Sequence, residues 1–216
     1  MGNRGRFGKY GDIKRIGRLR RAKKDIAIGK EFVRRGDDGS RPGDGAAFPK
    51  MALRLQMAKG SHWDFIIDLS GRVFHEYGPY DKIIQEWLAS GMAFTILSVH
   101  GRRPVGFAMI NLLPKEYGPQ DETELLAIAV EPGMQRSGVG QRLIKVVEKK
   151  AKALDIKRMA LHTGEGNFVA RRFFEKAGFT ELRTERNFYP KGQNALVMIK
   201  DICASIPSPS GSGSDV

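Results

Sequence analysis

Cysteine is nearly missing from this 216-residue chain: Cys203 stands alone. A lone cysteine excludes an internal disulfide and fits a reducing compartment, so a cytoplasmic protein is expected. Cys203 itself is expected to be small buried filler near the end of the last apolar segment, not a nucleophile. Long apolar runs are missing too. No stretch approaches the roughly 18 residues that span a membrane, so no transmembrane segment is expected. No apolar block follows the basic N-terminus, which argues against a secretory leader. Met1-Gly2 is not read as a myristoylation site, because Arg6 stands where that motif carries Ser or Thr. Histidine is sparse: His62, His75, His100 and His162 show no ligand spacing, and no metal is expected.

Negative charge is scarce where positive charge crowds. The net charge is +13, and residues 1–50 hold 15 Lys/Arg against 6 Asp/Glu, while the remainder holds 22 against 18. The basic excess is therefore mainly an N-terminal appendage. Residues 1–35 are expected to be a basic, flexible arm, with Ile13, Ile16, Leu19 and Ile26 as a thin apolar stripe that Gly17 weakens. Proline is absent there, which excludes collagen despite a glycine at every third position from Gly2 to Gly11. Three roles stay open for the arm: a solvated tail, a helix lying on an anionic membrane surface, or a segment that binds RNA or the ribosome. RNA is preferred, because arginine makes forked phosphate contacts while Phe7 and Tyr10 can stack on bases. Residues 36–49 read as a linker, 50–203 as the folded domain and 204–216 as a disordered tail.

Within 50–203 the apolar period changes repeatedly. Met51, Leu53, Leu55 and Met57 alternate like a strand. Ser61 with Asp64 resembles an N-cap before a helix reaching Tyr77, and a second helix runs from Asp81 to a stop at Gly91. Residues 92–113 read as two strands around a turn at 100–104. The run 123–130, "TELLAIAV", is apolar nearly throughout and is expected to be central. Leu143, Ile144, Val147, Ala151 and Leu154 mark one face of a helix. "RMALHT" is a strand, 167–177 a helix ended by Gly178, and "NALVMI" the last strand. The order β-α-α-β-β-β-α-β-α-β-β predicts an α/β domain, a mixed sheet of about seven strands flanked by four helices.

One turn carries the chemistry. "EPGMQRSGVGQRL", 131–143, passes from a strand to a helix start through Gly138 and Gly140. A helix N-terminus presents unpaired N–H groups and the positive end of its dipole, and glycine lets an anion approach the main chain. Gln135, Arg136 and Ser137 are expected to add donors to the same hollow. A P-loop is excluded, because Val139-Gly140 stands where Lys and Ser/Thr are needed; a dinucleotide fingerprint fails at Leu143.

The segment Gln135-Arg136-Ser137-Gly138-Val139-Gly140, with "LAIAVEP" and "GNFVARRFFEKAGF", resembles the GNAT superfamily of acetyl-CoA-dependent N-acetyltransferases over about residues 51–202. "RNFYP" at 186–190 is also similar to the bacterial ribosomal-protein-alanine N-acetyltransferases. The resemblance implies acetyl-CoA as co-substrate and an amine acceptor, either a protein N-terminus or a small molecule. It implies main-chain contacts to pantetheine from Ile128, Ala129 and Val130, and pyrophosphate contacts along Gln135–Gln141, through Gln135, Arg136, Ser137, Gly138, Val139, Gly140 and Gln141. Asn167 matches the family asparagine that contacts the cofactor. Glu124 matches the position of a general base, with His162, where the ribosomal enzymes carry glutamate, as the other candidate. Phe174 stands where those enzymes carry the tyrosine that protonates sulfur. It can only pack on the cofactor, and Tyr189 is the expected acid. Two further function classes stay open: a non-catalytic acetyl-CoA-sensing module, and an RNA-binding protein acting through its arm.

Overall fold

Alternation decides the sheet. In β4 (Glu122–Val130) every second residue from Thr123 to Ala129 is buried, and the strand sits fourth of seven. The computed structural model describes residues 53–112 and 121–203. The arm, linker and tail expected at 1–35, 36–49 and 204–216 lie outside the described residues, as do Met51 and Leu113. The other strands are β1 (Leu53–Met57), β2 (Ala93–His100), β3 (Arg103–Asn111), β5 (Arg158–Gly164), β6 (Thr180–Glu185) and β7 (Ala195–Asp201). The sheet order is β1-β2-β3-β4-β5-β7-β6. Among the described strands only β4 and β5 pair in parallel.

Among the described residues, four helices cover the two faces: α1 (Trp63–Val73), α2 (Tyr80–Ser90), α3 (Val139–Lys152) and α4 (Phe168–Lys176). Ile66 and Leu69 of α1 and Ile84 and Leu88 of α2 form one core with Phe107 and Met109 of β3. Leu143, Ile144 and Val147 of α3 and Phe174 of α4 form a second core with Met159 and Leu161 of β5. Burying each such side chain stabilises by about 1.5–3 kcal/mol, so either layer outweighs the weak helix propensities of its own residues. The mixed seven-strand sheet with four helices is as expected.

Local departures have local causes. Helix α1 stops at Val73, short of Tyr77, where the Phe74 N–H bonds back to Ser70. The ring of Tyr77 then lies 4.5 Å from that of Tyr189. Ser61 makes no cap; a 3-10 turn, Gly60–His62, precedes α1, and the Lys59 N–H donates to His62 Nδ1 at 2.9 Å. Leu154 falls beyond the end of α3 and is 37% exposed, while Ile156 fills the core instead. Cys203 is exposed, which corrects its reading as buried filler. Strand β6, whose residues were not assigned from the sequence, is exposed along nearly its whole length and has no apolar period to betray it.

A bulge shapes the centre of the sheet. Met109 pairs with Ala127 and Ile110 with Leu125, leaving Leu126 without an opposite number on β3. The ladder between β4 and β5 ends at the same point, with Leu125 opposite Leu161. From His162 to Gly164, β5 stays with β7. An extra residue bends the strand that holds it, and here β4 and β5 part like the arms of a V.

Gly106 on β3 sits against the diverging arm of β4. A Cβ there would lie 2.8 Å from the Ala129 carbonyl oxygen and 3.2 Å from Val130 Cα, and backbone cannot step aside cheaply. We expect Gly106→Ala to cost about 1–3 kcal/mol, an effect of overpacking. Thermal unfolding should fall by several degrees (about 2–4 °C per kcal/mol at this size). An unchanged midpoint would show that the approach is slacker than the structure has it.

Candidate active site

The turn after β4 is built from inside. Pro132–Met134 forms a 3-10 turn, and the Met134 N–H bonds to the Glu131 carbonyl at 2.8 Å. Arg136 (φ 60°) and Gly138 (φ 84°) are both left-handed, so the chain reverses sharply before α3. Gly138 is the N-cap; its carbonyl accepts from the Arg142 N–H, and a Cβ built on it meets nothing within 4 Å. The start of α3 is thus open beside Gly138, with no acidic residue in the first turn. That suits an anion.

The side chains of this turn divide. The Gln135 amide donates to the Val130 carbonyl at 3.3 Å, and the Ser137 hydroxyl donates to the Met134 carbonyl. Both brace the turn. Arg136 is exposed, and so is Arg142 one turn further on, a cation the motif did not single out. Gly140 is not open like Gly138: its Cβ would lie 3.1 Å from the Phe173 ring. Its missing side chain serves the packing of α3 on α4.

Asn167 caps α4, its Oδ1 accepting from the Ala170 N–H at 3.0 Å, with its amide nitrogen still at hand. Phe174 is 6% exposed, edge-on to Phe173 and Phe179 at 5.1 and 5.8 Å. Its ring packs in the core beneath α4. Ile128, Ala129 and Val130 form the arm of β4 beyond its ladder with β5.

The opposite face of the V holds the titratable groups. His162 Nδ1 lies 2.8 Å from Glu124 Oε1, linking β5 to β4 just where the two strands part. The His162 side chain is 8% exposed and that of Glu124 25%, so of the pair the carboxylate meets solvent. The imidazole stacks on Phe188 at 4.2 Å with an interplanar angle of 6°. Its other nitrogen, Nε2, is buried without a hydrogen bond and lies 3.6 Å from Glu185 Oε2. Glu185 and Phe188 were not foreseen; both fall in an exposed strand and loop with no periodic signal.

Tyr189 is buried against Tyr77 and Phe188. Burial pushes its hydroxyl well above the ordinary phenol range, and Tyr80, Tyr77 and Glu124 push the same way. It therefore stays protonated at any working pH. Beside it opens a cleft of about 370 Å³, lined by Glu76 and Tyr77 after α1, Gly164 at the end of β5 with Glu165 beyond it, and Gln193 and Asn194 before β7. Among the described residues no cluster of three His, Cys, Asp or Glu side chains could hold a metal ion. None of the described helices is long and apolar enough to cross a membrane.

The sheet thus splits between two parallel strands, with a helix start free of acidic residues on one face and an acid–histidine pair on the other. The chain belongs to the acetyltransferase (GNAT) family, whose pattern matches residues 63–179. It is 27% identical over 82 residues to the ribosomal protein bS18-alanine N-acetyltransferase of Haemophilus ducreyi, a match covering 36% of this chain and 57% of that protein. The chain thus spans little more than half the length of that curated relative. Among solved structures, the ribosomal-protein-S18-alanine N-acetyltransferase of Escherichia coli superposes with a TM-score of 0.60 at 21% identity, over 71% of this chain and 96% of that one. A GNAT acetyltransferase from Elizabethkingia anophelis with acetyl-CoA bound gives 0.58 at 19%, over 69% and 97%.

Proposed function

We propose that the protein transfers an acetyl group from acetyl-CoA to a primary amine, a protein N-terminus or a small molecule, by direct attack with general-base help. The carrying observation is the Glu124–His162 pair, placed where β4 and β5 separate. The open arm of β4 offers the main chain of Ile128, Ala129 and Val130 to an extended ligand, as one more strand would be met. Gly138 and the N–H groups of Val139, Gly140 and Gln141 suit a pyrophosphate, with Arg136 as its exposed cation. Asn167 has an amide nitrogen to spare for the same ligand. Bound there, acetyl-CoA supplies a thioester already activated toward amines. The Ile128 N–H is the donor for the thioester oxygen, a preorganised dipole that costs no rearrangement during reaction.

The amine enters from the α1–α2 side, through the cleft beside Tyr77. Glu124 takes its proton, and His162 holds that carboxylate toward the cleft. Tyr189, kept protonated by its burial, donates a hydrogen bond toward the departing sulfur, a task Phe174 cannot perform. The names of the ribosomal relatives make a protein N-terminal alanine the first acceptor to try. A second reading, acetyl-CoA sensing without turnover, draws support from Phe174 being committed to the core.

Purified protein incubated with labelled acetyl-CoA and a panel of N-terminal peptides and small amines separates the two. Label in an amine acceptor supports transfer; heat protection by acetyl-CoA with no acceptor labelled supports the sensor. In the first case Tyr189→Phe should lower the rate about tenfold with little change in acetyl-CoA affinity, in keeping with a lost hydrogen bond to a developing charge. Full activity in that variant removes Tyr189 from the mechanism.

A further inference from the structure

Strand β6 lies at the edge of the sheet, yet one of its side chains reaches inward to the pair just described. Glu185 divides its two oxygens. Oε1 accepts from Arg183 Nε at 3.1 Å and from the second guanidinium nitrogen at 2.6 Å. Oε2 is left facing His162 Nε2 at 3.6 Å. The Glu185 side chain is 20% exposed and that of His162 8%, so little water is available to Nε2, which has no other partner. A buried ring nitrogen without a partner is costly unless a group of opposite charge stands near it.

The imidazole is thereby held in three directions. Phe188 fixes its plane, Glu124 faces Nδ1, and Glu185 faces Nε2. The strand opposite on β7 brings no charge, since His162 pairs with Val197. The charged and titratable groups around the ring are thus Glu124 from β4, Glu185 with its Arg183 from β6, and Tyr189 from the β6–β7 loop, which senses Glu124. A catalytic pair steadied by a further group is a recurring device: the added group fixes the side chain that it faces against its partner.

We propose that Glu185 is a positioning residue of the acetyltransferase site, holding His162 between two carboxylates so that the ring keeps its orientation toward Glu124. The proposal rests on the reading of Glu124 and His162 as the base pair. Glu185 touches neither acetyl-CoA nor the amine; it acts through the imidazole.

The test uses the full chain and four variants: Glu185→Gln, Glu185→Ala, His162→Gln and, as a control on the same strand, Glu181→Gln. Glu185→Gln keeps an acceptor oxygen and removes the charge; Glu185→Ala removes both. We expect kcat to fall about threefold to tenfold in Glu185→Gln and further in Glu185→Ala, a part of the 10²–10⁴ that general-base catalysis commonly supplies. KM for acetyl-CoA should stay within twofold, and Glu181→Gln should match the parent. Proton NMR gives a readout free of turnover. The Nδ1–H held between ring and carboxylate should give a far-downfield line, absent in His162→Gln and broadened by solvent exchange in both Glu185 variants. The pH profile of kcat/KM should differ between Glu185→Gln and the parent, because a charge 3.6 Å from the ring has been removed.

The outcomes separate the two levels. An active His162→Gln overturns the base pair, and this inference with it. An inactive His162→Gln beside Glu185 variants with parental kcat, pH profile and NMR line overturns the role of Glu185 alone. Loss of the folded NMR pattern in Glu185→Ala shifts the decision to Glu185→Gln; if that variant is folded and parental in all three readouts, the role is likewise refuted.

Discussion

Glu124→Gln should lower the acetylation rate at neutral pH by about a hundredfold or more, the lower end of what a general base contributes. The amide keeps the shape of the side chain and can still accept from His162 Nδ1, whose contact with Oε1 is 2.8 Å. What it loses is the capacity to take a proton. Affinity for acetyl-CoA should be nearly intact, since the pyrophosphate is assigned to the turn at Gly138, on the opposite face of the split sheet. The deficit should shrink as pH rises, because an amine that has already lost its proton in water needs no base. Initial rates from pH 6.5 to 10, with a single amine acceptor, decide the matter. If His162→Ala shows that behaviour while Glu124→Gln keeps the parental rate, the proton goes to the ring directly. Both effects vanishing would take the chemistry away from this pair altogether.

Gly138→Asp should abolish stabilisation by acetyl-CoA. A ligand at a hundred times its dissociation constant stabilises by about 2.7 kcal/mol, which at this size raises the unfolding midpoint by roughly 5–10 °C. Aspartate at Gly138 puts a carboxylate at the open start of α3, and repels a second anion. The positive φ also strains any side chain by about 1–2 kcal/mol, least for Asn and Asp. Gly138→Asn therefore serves as the partner variant, sharing the backbone strain without the charge. We expect Asn to keep much of the shift and Asp to lose it. Gly140→Asp should also lose binding, but its Cβ would press on the Phe173 ring at 3.1 Å, so its unfolding midpoint falls even without ligand. An undiminished shift in Gly138→Asp would place the pyrophosphate elsewhere.

What could be read from the sequence follows from how local its cause was. The helices α2 and α3 and the strands β2 to β5 carry their own periods, and Gly91 and Gly138 mark turns that only a left-handed residue makes. The turn after β4 was legible because its glycines, its arginine and the strand before it lie within ten residues. Glu185 was not: it lies 23 positions after His162 and meets it through a pairing of β6 with β7 that no apolar alternation announces. The Leu126 bulge was equally hidden. Nothing in "TELLAIAV" distinguishes a straight buried strand from one that skips a partner, because the skip is set by Met109 and Ile110 on another strand. Phe174 shows the opposite limit. Its place in the helix was clear, but its ring turned to Phe179, a residue just past the helix end.

The two loops around the cleft beside Tyr77 are locked into one another. Gly78, at φ 145°, leaves only the room that Pro190 occupies, since a Cβ there would lie 2.7 Å from the proline Cγ. Lys191 Nζ donates to the His75 carbonyl at 2.8 Å, and Gln193 donates to the carbonyl of Glu76. Tyr77 rests on Gly164 so closely that a methyl group at 164 would collide with its hydroxyl. For anyone seeking to retarget the enzyme, segments 74–79 and 186–194 are therefore a single cassette. Randomising one while the other stays fixed will mostly yield misfitted loops, and transplanting both together, with Gly164, is the exchange the packing permits.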